Sequence, residues 1–327
     1  MQRILASALR VLGGVVGGVT VIVLAFAWAI RQPNVGAVRF PEGPRADPAA
    51  LRRHVEFLAT SVYPRNPRNP AALARAADYI ADAFSRGHAH VSEQSYQAIH
   101  ATTKNLRARF GPPDGPVLII GAHYDVFGDL PGADDNASGI AGLLELARLL
   151  DTRRLKTPVE LVAFSTEEPP YFGGPEMGSA IHARSLKEAG VQVRGMICLE
   201  MIGYFSPEQP DRALLLRIAY PHTGDFISIV GRWSERGLVR DIKKCSRGAS
   251  TVRAVSFSGP VIIGADLSDH RNYWAAGFPS VMVTDTAYLR NPNYHSAGDV
   301  ADSLDYDRMA GVVDGLLSSV VYLANRE

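Results

Sequence analysis

The pattern of apolar residues divides the chain into an N-terminal apolar run and a longer region of short alternating segments. The run, residues 11–30, contains no charged side chain. Arg3 and Arg10 precede it, and Arg31 follows it. As an α-helix with a rise of ~1.5 Å per residue, the run would span ~30 Å, the thickness of the hydrocarbon core of a bilayer. We therefore predict one transmembrane helix, and the basic residues before it favour a cytoplasmic N-terminus. A cleaved signal peptide is the alternative, although its apolar segment is usually only ~7–15 residues long.

Two amphipathic helices are predicted after a tether. Residues 32–46 are rich in Pro, Gly and Arg, which is typical of a linker. Asp47-Pro48 and Asn69-Pro70 each combine a helix-capping side chain with a proline at the first helical position. Apolar residues at helical spacing follow both pairs. The folded part of the chain is therefore expected to begin near residue 47.

From residue 91 onward, short apolar runs alternate with helical patterns. Residues 140–150 and 309–320 have the apolar spacing of helices packed on one face. Such alternation predicts an α/β fold with helices on both faces of a central sheet. Four apolar runs are typical of buried strands: residues 117–120, 159–164, 196–199 and 281–283.

The composition is that of a folded globular chain. Of 327 residues, 46% are hydrophobic and 20% are charged, which excludes a disordered protein. The 34 basic and 33 acidic residues nearly cancel, so no electrostatic footprint for nucleic acid is present. We see no internal repeat, and we predict a leader and anchor at 1–31, a tether at 32–46 and one folded domain at 47–327.

Histidines and carboxylates concentrate where the predicted strands end. In open α/β sheets, ligands bind beyond the carboxyl ends of the strands, so these side chains are expected to converge. Histidine and carboxylate donors without cysteine indicate a hydrolytic zinc site, and two metal ions ~3.5–4 Å apart require a bridging carboxylate. The chain has no HExxH motif and no GxSxG turn after a strand, which argues against a single-helix metalloprotease and a serine hydrolase. The polar residues at these positions are His123, Asp125, Asp134 and Asp135 in the loop after the first of these strands, Glu167, Glu168, Glu200 and His295.

Five motifs in a fixed order resemble one known family. They are HYD at 123–125, GADDNASG at 132–139, EE at 167–168, LEMIG at 199–203 and NYHSAGD at 293–299. Together they resemble the co-catalytic zinc exopeptidases of metallopeptidase family twenty-eight. That family includes leucyl aminopeptidases of bacteria, glutamate carboxypeptidase and, more distantly, glutaminyl cyclases. The resemblance covers most of the chain after the tether, and it implies a mixed central sheet with helices on both faces, as in the zinc exopeptidases.

The resemblance also implies how the metal ions would be held. His123 and Glu200 would bind one zinc ion, and Glu168 and His295 would bind the other. Asp135, the second aspartate of its motif, would bridge the two ions. The implied cofactors are therefore two zinc ions.

Two further roles follow from the same resemblance. Glu167 would be the general base, taking a proton from a water acidified by the zinc ions as it attacks the scissile carbonyl. Asp125 lies two residues after His123, so its carboxylate would orient the imidazole. Glu200 stands where many members of the family have Asp, and a centre with one zinc ion, as in the cyclases, is the alternative that this departure leaves open.

We therefore expect a membrane-anchored dizinc aminopeptidase that removes N-terminal residues from peptides in the periplasm or the extracellular space. It would be secreted if the leader were cleaved. Its partners would be peptide substrates and, through the N-terminal helix, the membrane, whereas the oligomeric state is open. Alternatives are a single-zinc glutaminyl cyclase and a non-catalytic receptor or scaffold, and carboxypeptidase action stays open because the metal chemistry is shared. Substrate preference would depend on loops at 170–178, 256–270 and 284–294.

Overall fold

An eight-stranded sheet forms the centre of the molecule. The computed structural model describes residues 2–39, 43–99, 102–210, 220–259 and 264–326. In chain order the strands of this described part are β1 His90–Gln97, β2 Thr102–Phe110, β3 Val117–His123, β4 Val159–Phe164, β5 Val193–Glu200, β6 Phe226–Arg232, β7 Arg253–Gly259 and β8 Ser280–Thr284.

The sheet is mixed, as the fold class predicted. Its strands lie in the order β1, β2, β4, β3, β5, β8, β6 and β7. The central strands β4, β3, β5 and β8 run parallel to one another. On one side β2 and β1 follow in antiparallel pairing, and on the other β6 is antiparallel to β8 and parallel to β7. The four strands predicted from apolar runs are the four central, parallel ones.

Helices flank this sheet, and two of them begin where the capping pairs predicted. The Asp47 side chain accepts a hydrogen bond from the backbone N–H of Ala49 at 2.9 Å, and Asn69 accepts one from Ala72 at 3.4 Å. The helices of the described residues are α1 Gln2–Arg31, α2 Pro48–Glu56, α3 Pro70–Phe84, α4 Gly139–Leu150, α5 Gly178–Glu188, α6 Arg236–Ala249, α7 His270–Ala276 and α8 Tyr306–Asn325.

The two faces of the sheet bury separate cores. Because successive side chains of a strand point to opposite faces, β3 contributes Leu118 and Ile120 to one core and Val117 and Ile119 to the other. The first core is closed by α2, α3, α4, α6 and α8, and the second by α5 and α7. Helices on both faces confirm the layered architecture expected from the alternating pattern.

Helix α1 differs from the others because most of its apolar surface is exposed. The stretch Leu12–Arg31 has a mean hydropathy of 2.2 and is long and apolar enough to cross a membrane. Its side chains are exposed from Leu12 to Phe26, and Ile30 is buried against the domain. A signal sequence near the N-terminus can also meet these criteria of length and apolar composition. Residues 40–42 of the predicted tether lie outside the described residues.

Candidate functional site

The residues predicted to form a site lie together at one edge of the sheet. His123 is the last residue of β3 and Glu200 the last of β5, while Glu167 and Glu168 follow β4 after two intervening residues. His295 lies in the connection after β8. Parallel strands end at the same edge, so the polar side chains that follow them converge. All of these side chains are buried except that of His295, which is 23% exposed.

Two groups of ligand-type side chains share one carboxylate. His123 Nε2 lies 3.3 Å from Asp135 Oδ1 and 3.5 Å from Glu200 Oε2. His295 Nε2 lies 3.1 Å from Asp135 Oδ2 and 3.3 Å from Glu168 Oε1. Within each group of three residues, the ligand atoms lie within 4.8 Å of one another. The two oxygens of Asp135 thus face different groups, which is the arrangement of a bridging carboxylate.

The donor atoms of these groups fit zinc. Imidazole nitrogen and carboxylate oxygen are both zinc ligands. Glu168 Oε1 and His295 Nε2 are buried, and neither makes an aligned hydrogen bond with the described residues although they lie 3.3 Å apart. Buried polar atoms without partners are costly, and a cation that coordinates both atoms would remove that cost.

The carboxylates of the two ligand groups lie close enough to shift one another's pKa. Burial raises the pKa of Glu168 to about 7, and the Asp135 carboxylate adds to this shift. Burial alone would lower the pKa of His295, but the carboxylates of Asp135 and Glu168 raise it to about 10. Metal binding at these positions would therefore compete with protons and release them.

Glu167 lies beside the first ligand group without belonging to it. Its Oε2 is 4.0 Å from His123 Nε2, and the side chain is buried. Burial raises the pKa of Glu167 well above its usual range; the His123 imidazole opposes this shift and the neighbouring Glu168 reinforces it. A raised pKa brings a carboxyl group closer to the range in which it can accept and return a proton at neutral pH.

The Asp125 side chain contacts the backbone of Glu167 and Glu168, and it also lies close to the His123 imidazole. Its Oδ1 accepts a hydrogen bond from the N–H of Glu167 at 3.1 Å, and its Oδ2 accepts one from the N–H of Glu168 at 3.0 Å. His123 Nδ1 lies 3.3 Å from the backbone oxygen of Asp125 and 3.6 Å from Oδ1. The sequence predicted the contact with the imidazole but not the two backbone hydrogen bonds.

The segment that carries Asp135 is fixed from both sides. Gly132 adopts a φ of 58°, and a Cβ there would stand 2.3 Å from the backbone oxygen of Asp135, so glycine is required. The carboxylate of Asp299 accepts hydrogen bonds from the N–H groups of Asp134 at 2.8 Å and Asp135 at 3.1 Å. Asp299 closes the NYHSAGD motif, and it therefore orients the shared carboxylate from another part of the chain.

Arg65 is a fully buried cation behind the same segment. Its guanidinium donates hydrogen bonds to the backbone oxygens of Pro131 at 2.7 Å, Gly132 at 2.5 Å and Leu58 at 3.0 Å. Burial lowers its pKa to about 10, and nearby carboxylates, Asp299 foremost, oppose that change. At neutral pH the side chain is therefore charged. Sequence reasoning missed Arg65 because no motif surrounds it.

Ser268 and Asp269 border the first ligand group. Ser268 Oγ donates a hydrogen bond of 2.6 Å to Glu200 Oε2, the same oxygen that faces His123. Asp269 is fully buried, and burial raises its pKa to about 7. The side chain of Asp269 makes no cap hydrogen bond at the start of α7, so simple helix capping does not explain its position.

Aromatic rings hold His295 in place. Its imidazole is stacked between Phe127, at a centroid distance of 4.1 Å, and Tyr294, at 3.9 Å. A cleft beside Glu168 and Asp125 is lined in part by Tyr171, so the predicted loop 170–178 borders the site. The loop 284–294 borders it through Tyr294. Of the third loop, residues 260–263 lie outside the described residues.

Known structures share this fold. LapB from Legionella pneumophila is 21% identical and superposes with a TM-score of 0.69, covering 86% of this chain and 73% of that one. Glutaminyl cyclase from Porphyromonas gingivalis is 19% identical with a TM-score of 0.66, covering 86% of this chain and 98% of the cyclase. The fold is therefore shared with LapB and with a glutaminyl cyclase.

Comparison with sequence relatives and with a family profile identifies the family of the chain. The uncharacterized protein YfbL of Escherichia coli (strain K12) is 45% identical over 302 residues, which is 88% of this chain and 91% of YfbL. Leucine aminopeptidase 1 of Trichophyton equinum is 30% identical over 59% of this chain, and the match spans 50% of the length of that enzyme. The sequence profile of Peptidase family M28 matches residues 105–320. The motifs, the fold and this match together show that the chain belongs to Peptidase family M28.

Proposed function

We propose that the chain is a membrane-anchored dizinc aminopeptidase that removes N-terminal residues from peptides outside the cytoplasm. The observation that carries the proposal is the shared carboxylate: the oxygens of Asp135 lie 3.3 Å from His123 Nε2 and 3.1 Å from His295 Nε2, in two separate ligand groups. Relatives named leucine aminopeptidase support the N-terminal specificity.

In this proposal five residues would hold two zinc ions. His123 and Glu200 would hold the first, Glu168 and His295 the second, and Asp135 would belong to both groups. When bound, zinc supplies Lewis-acid activation of water and of the scissile carbonyl. The protein keeps the ligand atoms in place through backbone contacts, so little reorganisation is needed when metal binds.

Glu167 moves the proton. Its buried carboxylate accepts a proton from the attacking water and then delivers it to the leaving amine, so no net proton is taken from solvent in the cleavage step. Asp125 keeps Glu167 and Glu168 in different roles because it fixes both of their backbone N–H groups. One carboxylate can then act as the base while its neighbour acts as a ligand.

The anchoring part of the proposal rests on α1. Residues 1–31 form the leader and the anchor, 32–46 the tether and 47–327 the peptidase domain. The exposed apolar surface of α1 and the basic residues before it support a single span with the domain outside the cytoplasm.

Replacing Glu167 tests the proposed mechanism. We expect Glu167→Gln to lower kcat on leucine p-nitroanilide by roughly 100-fold or more, the usual contribution of a general base, while the bound zinc is unchanged. Metal content is measured by elemental analysis on the same samples. The exposed Glu188 at the end of α5 supplies a matched control, Glu188→Gln, which should behave as wild type.

Two results would contradict the proposal. Full turnover in Glu167→Gln would remove Glu167 from the proton transfer. Cleavage of an N-acetylated peptide as fast as the free peptide would exclude an aminopeptidase, because a blocked N-terminus should not be accepted.

A glutaminyl cyclase is the second candidate, and the contacts of Glu200 favour it. Ser268 already donates a short hydrogen bond to Glu200 Oε2, whereas Glu168 Oε1 and His295 Nε2 in the second group make no aligned hydrogen bond with a described residue. A single zinc ion held by Asp135, Glu168 and His295 would satisfy the second group alone. Conversion of an N-terminal glutamine peptide to its pyroglutamyl form by the wild-type chain would support this candidate.

A further inference from the structure

The last turn of α1 is fastened to the domain by buried polar contacts. The backbone oxygen of Arg31 accepts hydrogen bonds from Lys243 Nζ and from Ser256 Oγ, both at 2.7 Å. Lys243 Nζ also donates to the oxygen of Gln32 at 3.1 Å. These contacts satisfy carbonyl groups that a helix end leaves free, and a cation at that position is favoured by the helix dipole. The joint between α1 and the domain is therefore a fixed one.

The direction in which α1 leaves the domain follows from the sheet. Because β6 is antiparallel to β8, it ends where β8 begins, at the edge opposite Glu200 and the candidate metal centre. Phe26 lies at this opposite edge, with its ring 6.1 Å from that of Trp233, the residue directly after β6. The oxygen of Arg31, in contrast, reaches Ser256 in the middle of β7. Residues before Phe26 therefore project away from the metal centre.

The contact between Phe26 and Trp233 shows where this end of the sheet lies along the apolar span of α1. The apolar span ends at Arg31. Phe26 lies five residues earlier, about 7.5 Å along a helix. Trp233 is 37% exposed and lies level with the last apolar turn of the span. Indole rings are enriched at this level, where apolar chains meet polar head groups.

Two arginines extend from the same edge. Arg236 and Arg240 are exposed, lie one turn apart on α6, and form no ion pair with a described residue. They share a helix face with Lys243, which contacts the end of α1, and the backbone oxygen of Arg236 accepts a hydrogen bond from Gln32 at 3.2 Å. Unpaired guanidinium groups beside a membrane span attract anionic head groups.

We propose that Trp233, Arg236 and Arg240 form a lipid-facing patch that rests on the bilayer, with anionic phospholipid head groups as its partner. The domain then stands on its anchor in one orientation, and the candidate metal centre opens towards the aqueous phase. This inference rests on the proposed anchoring of α1 and not on the proposed chemistry.

Quenching of tryptophan fluorescence by brominated lipids tests the patch in the full chain. Trp28→Phe and Trp274→Phe leave Trp233 as the single tryptophan, and the chain is reconstituted in phosphatidylcholine vesicles with or without 30% phosphatidylglycerol. We expect bromine near the head groups to quench Trp233 at least two-fold more than bromine deep in the acyl chains. Anionic lipid should increase the quenching, and Arg236→Gln with Arg240→Gln should abolish that increase.

Tyr63 provides a matched control at the other end of the sheet. It is 40% exposed, close to the exposure of Trp233, and its hydroxyl donates a hydrogen bond to the backbone oxygen of Asp129, in the connection between His123 and Asp135. In a chain whose three tryptophans are replaced by Phe, Tyr63→Trp should show no quenching by either lipid. Quenching of Trp233 no stronger than that of this control would overturn the patch.

Two further readouts separate the possible failures. Flotation of the full chain with the vesicles after alkaline washing reports on the anchor alone, so loss of flotation would refute the anchoring rather than the patch. Hydrogen exchange on the unaltered chain avoids tryptophan replacement altogether. Residues 233–240 should exchange at least two-fold more slowly in vesicles than in detergent, and equal exchange would overturn the patch.

Discussion

A buried arginine outside the ligand motifs helps to position Asp135, the carboxylate shared by the two ligand groups. Arg65 reaches the backbone oxygens of Pro131 and Gly132, which lead directly into the segment that carries Asp135. A charged group makes stronger hydrogen bonds than a neutral one, and the planar guanidinium serves several acceptors at once. Arg65 also lies outside residues 105–320, which match the family profile. The segment before the core of the family therefore contributes to the candidate metal centre.

Replacement of Arg65 should weaken metal binding. We expect Arg65→Met to lower zinc affinity by roughly 10- to 100-fold, as loss of other outer contacts of metal sites does. Arg65→Lys should give an intermediate affinity because it keeps the charge but not the planar fork. Affinity is measured by competition with a chelator of known zinc affinity.

Arg68 is the control for this prediction. It belongs to the same connection as Arg65, but its side chain is exposed. Arg68→Met should therefore bind zinc as the wild type does. Equal zinc affinities of Arg65→Met and Arg68→Met would show that the buried guanidinium does not position the centre.

The seven candidate site residues are predictable from the sequence because they occupy short motifs at strand ends. Arg65 and Ser268 were not assigned to the site, because their partners are a distant backbone oxygen and a side chain 68 residues away. For Asp125, one contact was predictable from the sequence and the others were not. Its approach to His123 follows from their spacing, but its hydrogen bonds to the N–H groups after β4 depend on β3 and β4 pairing side by side.

At the scale of elements, a hydrogen bond between His54 and Tyr79 links α2 to α3. Folding keeps the His54 imidazole neutral. His54 Nδ1 lies 2.7 Å from the hydroxyl oxygen of Tyr79. Burial lowers the pKa of His54 from 6.5 to about 4, and the nearby charges of Arg86 and Arg53 add to the effect. The unfolded chain therefore binds a proton below pH 6.5 that the folded chain does not bind.

Acidification should consequently weaken this helix pair. Stability is fully present above pH 6.5 and falls as the pH approaches 4; at pH 5 the loss attributable to His54 is about 2 kcal/mol. We expect His54→Gln to remove this part of the pH dependence. Urea unfolding of the full chain in mild detergent with a chelator, at pH 7.5 and pH 5.0, measures the difference.

The control for this measurement is His88. Its side chain is 92% exposed, so His88→Gln should keep the pH dependence of the wild type. A His54→Gln variant that loses as much stability between pH 7.5 and 5.0 as the wild type would contradict the account of α2 and α3.

The strands differ in how clearly an apolar run in their sequence predicts them. The four central strands are apolar on both faces and were predicted. β1 is an edge strand with the sequence HVSEQSYQ and has no fully buried residue, so it lacks an apolar run. β6 and β7 contain serines, and the hydroxyl of Ser256 is buried because Lys243 and the end of α1 satisfy it. Such strands depend on tertiary partners that a local pattern does not contain.

At the scale of the whole molecule, the candidate metal centre and the apolar helix α1 lie at opposite ends of one sheet. Carboxylates and histidines gather where the parallel strands end, and α1 with Arg236 and Arg240 lies at the opposite edge. The fold class, the apolar helix and the convergence of the candidate ligand residues were predictable from the sequence. The position of α1 relative to the candidate metal centre was not, because it depends on the antiparallel pairing of β6 with β8.

The metal content of the active chain tests the central claim most directly. Metal-free full chain is titrated with zinc while bound zinc per chain and hydrolysis of leucine p-nitroanilide are measured together. The proposal predicts that binding saturates at two zinc ions per chain and that full activity requires both. Saturation at one zinc ion per chain, with conversion of N-terminal glutamine peptides and no hydrolysis of the leucine substrate, would contradict it.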